Sequence, residues 1–331
     1  MKRHNLEIGS LHNPAYIHKP ILWREIVDIT DGSLKKGTGH FADCTLGEGG
    51  HSEILLKLFP EIKITGFERD PAILERAKER LSQFGDRIRF VNSNFSDIDK
   101  EFSAANRPDY ILYDFGISSW HFESSGRGFA FAHDEPLDMS LDGTGPDARD
   151  VINTYPEREL NRIFKVYGEE KWAARIALVI CERRALAPIK TTGQLASIVM
   201  AAIPKKFHVK NIHPATRVFQ ALRIEVNREL EAIEKGLTAG FNVLAGGGVM
   251  MTMSFHSLED RIAKNFFRRM KDGCLCGREP QHCLCHNGSF AEVLTKKPVT
   301  PQDDELAWNN RSRSAKLRAV TKLKDVPAAG L

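Results

Sequence analysis

Residues 41–70 of the chain read FADCTLGEGGHSEILLKLFPEIKITGFERD, and this stretch predicts one βαβ unit. A short apolar run ends at Asp43, a glycine-rich turn follows, and a helical segment leads to a second apolar run that ends before Glu68. In such units the glycines let the backbone approach a ligand closely, and an acidic residue about twenty positions later binds the ribose hydroxyls. The stretch therefore predicts a nucleoside cofactor.

The order of the glycines indicates which nucleoside cofactor is bound. A dinucleotide fold uses G-x-G-x-x-G to hold a pyrophosphate at a helix N-terminus, whereas this loop reads Gly47-Glu48-Gly49-Gly50. The Glu48 carboxylate is expected to repel an anion and to favour a ligand with positive charge. S-adenosylmethionine, with its sulfonium and ammonium groups, is such a ligand. The alternative is a plain tight turn beside a solvated Glu68, because glycine-rich motifs produce false positives.

Composition and charge limit the classes of protein to which the chain can belong. The chain has 331 residues, a formal charge of +4 and an isoelectric point near 8.7, which is typical of a mildly basic globular protein. No segment approaches the roughly 18 to 20 apolar residues of a membrane span, and no secretory signal is evident. We expect a cytoplasmic protein without a membrane partner. Basic runs at 205–210, 261–271 and 311–318 favour phosphate contact modestly.

Four of the six cysteines form a C-x-C-x6-C-x-C pattern with histidines beside it. The residues are Cys274, Cys276, Cys283, Cys285, His282 and His286. Without a secretory signal, such a cluster favours a metal over disulfides. The better-attested zinc spacing has two residues between paired cysteines, so a structural zinc site and a reduced, metal-free loop both stay open.

The spacing of the strands predicts an α/β sheet that is interrupted by an insertion. Strands are expected at 88–91 and 110–114, but the next convincing strand, 248–255, comes much later than one crossover needs. Helical patterns fill the interval, and the last of them, 215–237, buries one apolar face and predicts the crossover helix.

These patterns divide the chain into a sheet domain, an insertion and a tail. We predict one sheet domain from residues 1–123 and 215–323, an inserted helical subdomain at 124–214 and a tail at 324–331.

Ligands of an open parallel sheet bind outside the carboxyl ends of its strands, which selects the candidate site residues. Asp114 is the strongest polar candidate for the reaction centre. Phe95 can lie against an adenine or pack in the core. His256 follows the fifth strand, where it is either near the substrate or structural. Ser257 and Asp260 predict a capping box that opens the next helix.

Seven short motifs follow one another along the chain. They are H-K-P-I-L at 18–22, D-C-T-L-G-E-G-G-H-S at 43–52, D-F-G-I-S-S at 114–119, R-G-F at 127–129, P-L-D-M at 136–139, H-P-A-T-R at 213–217 and S-F-H-S-L-E-D-R at 254–261. Together and in this order, the motifs resemble with high specificity the RsmH (MraW) family of ribosomal RNA small-subunit methyltransferases.

The resemblance implies a class I S-adenosylmethionine-dependent methyltransferase, a Rossmann-like sheet whose inserted helical subdomain recognises the substrate. The implied reaction is methylation of the exocyclic N4 amine of a cytidine in 16S rRNA, in the decoding region of the small ribosomal subunit. Carried over by motif, the cofactor contacts are Gly49, Gly50, His51, Glu68, Phe95, Asp114 and His121. Asp114 and His256, by their positions at the strand ends, are the candidates for catalysis.

The chain departs from the family pattern at four positions. Glu68 stands where the family usually has Asp, which lengthens the reach to the ribose. His121 stands where Gln is usual and follows Trp120 rather than Pro, which affects that cofactor contact. Ser140 replaces an Arg that could contact RNA phosphate.

Methyl transfer to a cytosine amine requires an acceptor for the amine hydrogen and a place for the unstacked base. The N4 lone pair is delocalised into the ring, so an acceptor such as the Asp114 carboxylate favours its rehybridisation, and positioning supplies much of the rate. The base must leave its stack, against aromatic side chains such as Trp120, Phe129 or Phe131, which could equally pack the insertion.

Two other functions are consistent with the same fold. An NAD-dependent oxidoreductase is disfavoured by the loop, whereas a non-catalytic RNA-binding ribosome-assembly factor is the harder alternative to dismiss.

Overall fold

The structure is a computed structural model that describes residues 20–209, 213–276, 282, 285 and 287–327. These residues form two compact units by their internal contacts. The first consists of the described residues up to Ile117 and from Leu230 onward, and the second is Ser118–Glu229. Among the described helices, none has both the length and the apolar composition that a membrane crossing requires.

The first unit is built on a seven-stranded sheet with the order β3-β2-β1-β4-β5-β7-β6. The strands are β1 Gly39–Asp43, β2 Ile62–Phe67, β3 Ile88–Val91, β4 Tyr110–Asp114, β5 Val249–Ser254, β6 Ala291–Val293 and β7 Lys316–Lys322. The first five are parallel, whereas β7 runs antiparallel to both β5 and β6. The α/β class and the Rossmann-like sheet are therefore confirmed.

Helices cover both faces of this sheet, so its central strands are buried on both sides. The helices of the first unit are α1 Trp23–Gly32, α2 Gly50–Leu58, α3 Pro71–Leu81, α10 Glu229–Val243, α11 Ser257–Asp272 and α12 Asp303–Trp308. Tyr110 and Leu112 of β4 pack in the core cluster with α1 to α3, while Ile111 and Tyr113 pack in the cluster with α10 and α11. The alternation follows from the two-residue period of a strand.

The second unit is helical and has its own core. Its helices are α4 Ser119–Glu123, α5 Ala148–Thr154, α6 Glu157–Val166, α7 Ala173–Leu186, α8 Thr192–Ala202 and α9 Thr216–Asn227. The second unit also has a short 3₁₀ helix at Lys205–Phe207, and the first unit has such helices at Ser82–Arg87, Phe95–Lys100 and Asn310–Ser314.

The single helix predicted at 215–237 is wrong, because it is two helices. Arg228 adopts a left-handed conformation, with φ of 49°, and ends α9 before α10 begins. Asn227 is buried and accepts a hydrogen bond from the Leu141 amide, so α9 is held by a loop of the second unit. Since α9 also packs on α5 and α6, residues 215–229 belong to the second unit, together with 118–123, rather than to the predicted sheet domain.

The N-cap of α3 is the predicted residue, whereas the N-cap of α11 lies one residue earlier than predicted. Asp70 caps α3 through a bond from the Ala72 amide, as predicted, with Pro71 in the first turn. The capping box predicted at Ser257 and Asp260 is wrong. His256 is the N-cap of α11 and its reciprocal partner is Glu259.

The end of the described chain is tied to the first unit by charged side chains. The ammonium of Lys322 is fully buried and donates to the carbonyls of Phe241 and Leu244, which closes the C-terminus of α10. Asp325, in the predicted tail, lies 2.7 Å from both Lys322 and Arg107.

Candidate active site

The loop between β1 and α2 lies at the carboxyl end of the sheet and needs glycine for two different reasons. Gly47 and Gly49 have φ of 53° and 80°, which side chains rarely allow. At Gly49 an added Cβ would also lie 2.7 Å from a methyl of Leu81 in α3, whereas at Gly47 the nearest atom would be 4.0 Å away. The loop thus combines an unusual backbone with close helix packing.

The interpretation of Glu48 as a charge directed at the ligand is wrong. Its carboxylate is fully buried and lies 2.7 Å from Nε of Arg76 on α3. The charge of Glu48 therefore fixes the loop to α3. The negative charge available to a ligand comes instead from the strand ends that follow.

Glu68 lies at the end of β2 and faces the loop. One carboxylate oxygen accepts from the Gly47 amide at 3.0 Å and the other from the Asp70 amide at 2.8 Å. Burial, the largest cause, raises the pKa of Glu68 to about 7. Each oxygen keeps a second lone pair, so the carboxylate can still accept from a pair of hydroxyls, as a ribose ligand requires.

Asp43, at the end of β1, is buried beneath the loop. It accepts hydrogen bonds from the Ser52 hydroxyl at 2.7 Å and from the Thr45 amide at 3.3 Å. Burial raises its pKa to about 6. Thr45 continues the chain of contacts, because its hydroxyl accepts from the Asp114 amide at 2.6 Å and so joins the ends of β1 and β4.

Asp114 is the most unusual polar group of the site. Among the described residues its Oδ1 is buried and has no hydrogen-bond partner, while Oδ2 lies 3.7 Å from Nδ1 of His51. Burial, then the nearby charges of Asp43 and Glu259, raise its pKa well above the ordinary value. A buried carboxylate oxygen without a partner is costly for the fold, which makes Asp114 a functional candidate.

His51 is oriented by the segment that precedes α1. Its Nε2 lies 2.9 Å from the carbonyl oxygen of Ile21, which can only accept, so Nε2 carries a proton. The other nitrogen, Nδ1, is directed toward Asp114. The structure thus brings together His51, Glu68 and Asp114 with the glycines of the loop, all of which the sequence analysis assigned to the cofactor.

Phe95 begins the 3₁₀ helix after β3 and is partly buried. Its ring lies edge-on to Tyr113, with centroids 5.5 Å apart, and a Cβ at Gly236 of α10 would overlap it. Asn94 caps this turn by accepting from the Ser96 amide. Phe95 is thus fixed at the strand ends, where a flat ring could stack on it.

His256 is held by its own helix. Nδ1 accepts from the Glu259 amide and Nε2 lies 2.9 Å from the Glu259 carboxylate. Glu259, fully buried, in turn accepts from the amides of Phe255 and His256. A catalytic role for His256 stays a prediction.

Asp260 pairs with β7 instead of capping the helix. It lies 2.7 Å from Arg318 and 3.4 Å from Lys316, so two of the predicted basic residues are committed to an internal ion pair.

His121 belongs to the second unit, where it is buried on α4. Its ring lies edge-on to Trp120 and to Phe129, and Arg127 lies over both of these aromatic rings. Phe131 packs against His213 and Phe219. The aromatic residues proposed to receive a base therefore all have packing partners within the second unit.

The sequence analysis missed two contributors to this site, Thr45 and Glu259. Both lie inside quoted motifs, but their roles depend on contacts between strand ends. For Glu259 the signal was present, because E stands three residues after His256 as in a capping box whose first residue is not the usual Ser or Thr.

Comparison with known proteins identifies the family. A model of the MraW methylase family matches residues 15–323. The chain belongs to the MraW methylase family.

Similar proteins of this family share almost the whole length of the chain. The protein named ribosomal RNA small subunit methyltransferase H from Carboxydothermus hydrogenoformans is 44% identical over 93% of this chain and 98% of its own. Proteins of the same name from Clostridioides difficile and Leptospira interrogans are 44% and 45% identical, over 87% and 94% of this chain and 94% and 90% of their own.

Membership of the MraW methylase family confirms the predicted enzyme class. The chain is an S-adenosylmethionine-dependent methyltransferase with the class I, Rossmann-like fold. The described site fits this cofactor, because the Glu68 carboxylate suits hydroxyl groups and the acidic strand ends suit a cationic ligand.

Proposed function

We propose that this MraW-family enzyme methylates the exocyclic N4 amine of a cytidine in 16S rRNA, in the decoding region of the small ribosomal subunit. The proposal takes its substrate class from relatives named ribosomal RNA small subunit methyltransferase H. The observation that carries the chemistry is the buried Oδ1 of Asp114, which has no partner among the described residues. A reaction on rRNA implies the cytoplasm as the compartment.

The cofactor residues are assigned by their place at the strand ends. Glu68 holds the ribose hydroxyls, Phe95 lies against the adenine, and Gly49, Gly50 and His51 form the loop beside it. When bound, S-adenosylmethionine supplies an electrophilic methyl group and positive charge. We also propose His121 as a cofactor contact, because of its position in the family motif.

Asp114 acts as the acceptor for a hydrogen of the N4 amine. Burial, and then repulsion from Asp43 and Glu259, raises the pKa of Asp114 and disfavours its charged form, so a nearby cation favours the carboxylate. A carboxylate that accepts the amine hydrogen favours a pyramidal nitrogen with an available lone pair. Held in place by the Thr45 hydroxyl through its backbone amide, Asp114 reorganises little during the reaction.

The role that we assign to the second unit is recognition of the RNA substrate.

The first unit also offers cations to the RNA. Lys264, Arg268 and Lys271 on α11 are exposed and available to RNA phosphates.

The test is methyl transfer from labelled S-adenosylmethionine to small subunits that lack the modification, followed by mass spectrometry of the nucleosides. We expect N4-methylcytidine. The Asp114→Asn variant is expected to keep its fold and lose about 100-fold or more in single-turnover rate. Asp97→Asn, a surface carboxylate that pairs with Lys235, is the matched control and is expected to turn over normally.

Two results would contradict the proposal in different ways. A methyl group on another atom would overturn the assigned substrate position. Normal turnover by Asp114→Asn would remove Asp114 from the chemistry and leave the enzyme class intact.

A further inference from the structure

The loop that follows α11 is anchored at both ends to the last turn of that helix. Gly273 ends the helix with φ of 66°, and the Cys274 amide donates to the carbonyl of Arg269 at 2.9 Å. At the other end, the Phe290 amide donates to the carbonyl of Met270 at 2.8 Å. The cysteine pattern of the sequence lies between these anchors.

Three cysteine sulfurs of this loop converge. The Sγ atoms of Cys274, Cys276 and Cys285 all lie within 4.8 Å of one another, and those of Cys274 and Cys276 are 3.7 Å apart. A disulfide needs about 2.05 Å between sulfurs, so this pair is not bonded. Two thiolates bound to one tetrahedral zinc at about 2.3 Å lie about 3.8 Å apart. The observed spacing therefore matches shared coordination.

The composition of the loop gives a physical reason for a metal. Residues 277–289 read GREPQHCLCHNGS and contain a single large apolar residue, so this segment cannot stabilise itself by burying a core. Metal ligation supplies folding free energy in such segments. Cys274 is buried and Cys276 is exposed, so the cluster lies at the surface, as structural zinc sites do in small loops.

We propose that Cys274, Cys276 and Cys285 bind a structural zinc ion as thiolates, which closes the loop between α11 and β6. The remaining cysteine of the pattern, Cys283, lies outside the described residues. Zinc has no redox chemistry, and none of the three cysteines is among the residues assigned to the cofactor or to catalysis. Its role is to fix the loop on the helix that starts at the capping box of His256 and Glu259.

The first experiment measures zinc in the purified full-length protein by mass spectrometry of the elements. We expect about one zinc ion per chain in the wild type. Cys276→Ser and Cys274→Ser are expected to reduce the zinc content to background. Cys181→Ser, a cysteine of α7 in the second unit, is the matched control and is expected to retain all of it.

A spectroscopic measurement keeps the test decisive if a variant fails to fold. Cobalt exchanged into the wild-type protein is expected to give the intense thiolate-to-metal absorption of tetrahedral sulfur ligation. Wild-type protein that takes up neither zinc nor cobalt overturns the proposal, and so does zinc retained in full by a folded Cys276→Ser variant. Both readouts are separate from methyl transfer, so they do not depend on the proposed substrate.

Discussion

Both nitrogens of the His256 imidazole lie close to one residue, Glu259, but among the described residues only Nδ1 takes part in a hydrogen bond. Nδ1 accepts from the Glu259 amide, which satisfies a donor of the first turn of α11, and Nε2 lies beside the carboxylate. An N-cap is a role that other polar residues also fill, whereas proton transfer at this position is specific to an imidazole. Substitution can therefore separate the two roles.

We predict that His256→Asn keeps its fold, because Asn is a favourable N-cap, and loses about 100-fold in single-turnover rate, because an amide cannot transfer a proton. His256→Ala is expected to lower the free energy of unfolding by about 1 kcal/mol. Chemical denaturation and single-turnover methylation of both variants provide the measurement. A folded His256→Asn enzyme that turns over normally would leave His256 with its capping role alone.

The sequence predicts the site residues that occupy strand ends, but not those whose role depends on distant partners. Asp114 and Glu68 follow from the rule that ligands bind at the carboxyl ends of parallel strands. The pairing of Glu48 with Arg76 could not be read in the same way, because the two residues lie on different elements whose packing the sequence does not specify. A carboxylate in a glycine-rich loop has the same sequence pattern whether it faces a ligand or a neighbouring helix.

At the scale of elements, the loop between β1 and α2 offers a matched pair of glycines. Gly47→Ala is expected to cost roughly 1 kcal/mol, since only the left-handed backbone is penalised. Gly49→Ala adds a collision with Leu81 and is expected to cost about 2 to 4 kcal/mol in total. Urea denaturation of both variants measures the difference.

Gly246→Ala is the control for this pair, because its φ is not in the left-handed region and an added Cβ meets no atom within 4 Å. Equal losses of stability at Gly47 and Gly49 would show that the loop does not pack on α3 as described.

Most elements of the sheet could be predicted from the sequence, and one helix could not. The bounds of β3 and β4 agree with the predicted strands, and β2 ends before Glu68 as predicted, because each is an apolar run with clear polar or glycine boundaries. The break at Arg228 has no glycine or proline to mark it, and the apolar positions keep their helical period across it. The contacts of Asn227 with the loop at Met139 and Leu141, which are remote in sequence, mark the end of α9.

At the scale of the whole molecule, the buried carboxylates of the site link stability to pH. Because the pKa of Glu68 is raised from 4.5 to about 7, the folded chain binds this proton more tightly than the unfolded chain. Its contribution to stability is complete below about pH 4.5 and is lost as the pH rises through about 7.

We therefore predict that Glu68→Gln flattens the decline in the free energy of unfolding between pH 5 and pH 8, by roughly 2 to 3 kcal/mol. Urea unfolding of the variant and the wild type at both pH values is the measurement. In Asp97→Asn the removed carboxyl has a lowered pKa, chiefly because of Lys235, so its effect is expected to be equal at the two pH values. An unchanged slope for Glu68→Gln would show that the folded chain does not raise the pKa of Glu68.

The pairing of β4 with β5 has a consequence for how the chain is made. Both strands lie in the middle of the sheet, yet the whole second unit separates them in sequence. At the usual speed of protein synthesis, β5 follows β4 out of the ribosome after on the order of ten seconds. During that interval the nascent half-sheet β3-β2-β1-β4 presents the open edge of β4, which is apolar on both faces and a template for aggregation. A helical unit with its own core can fold in the meantime, which shortens the span that β5 must close before it pairs with β4.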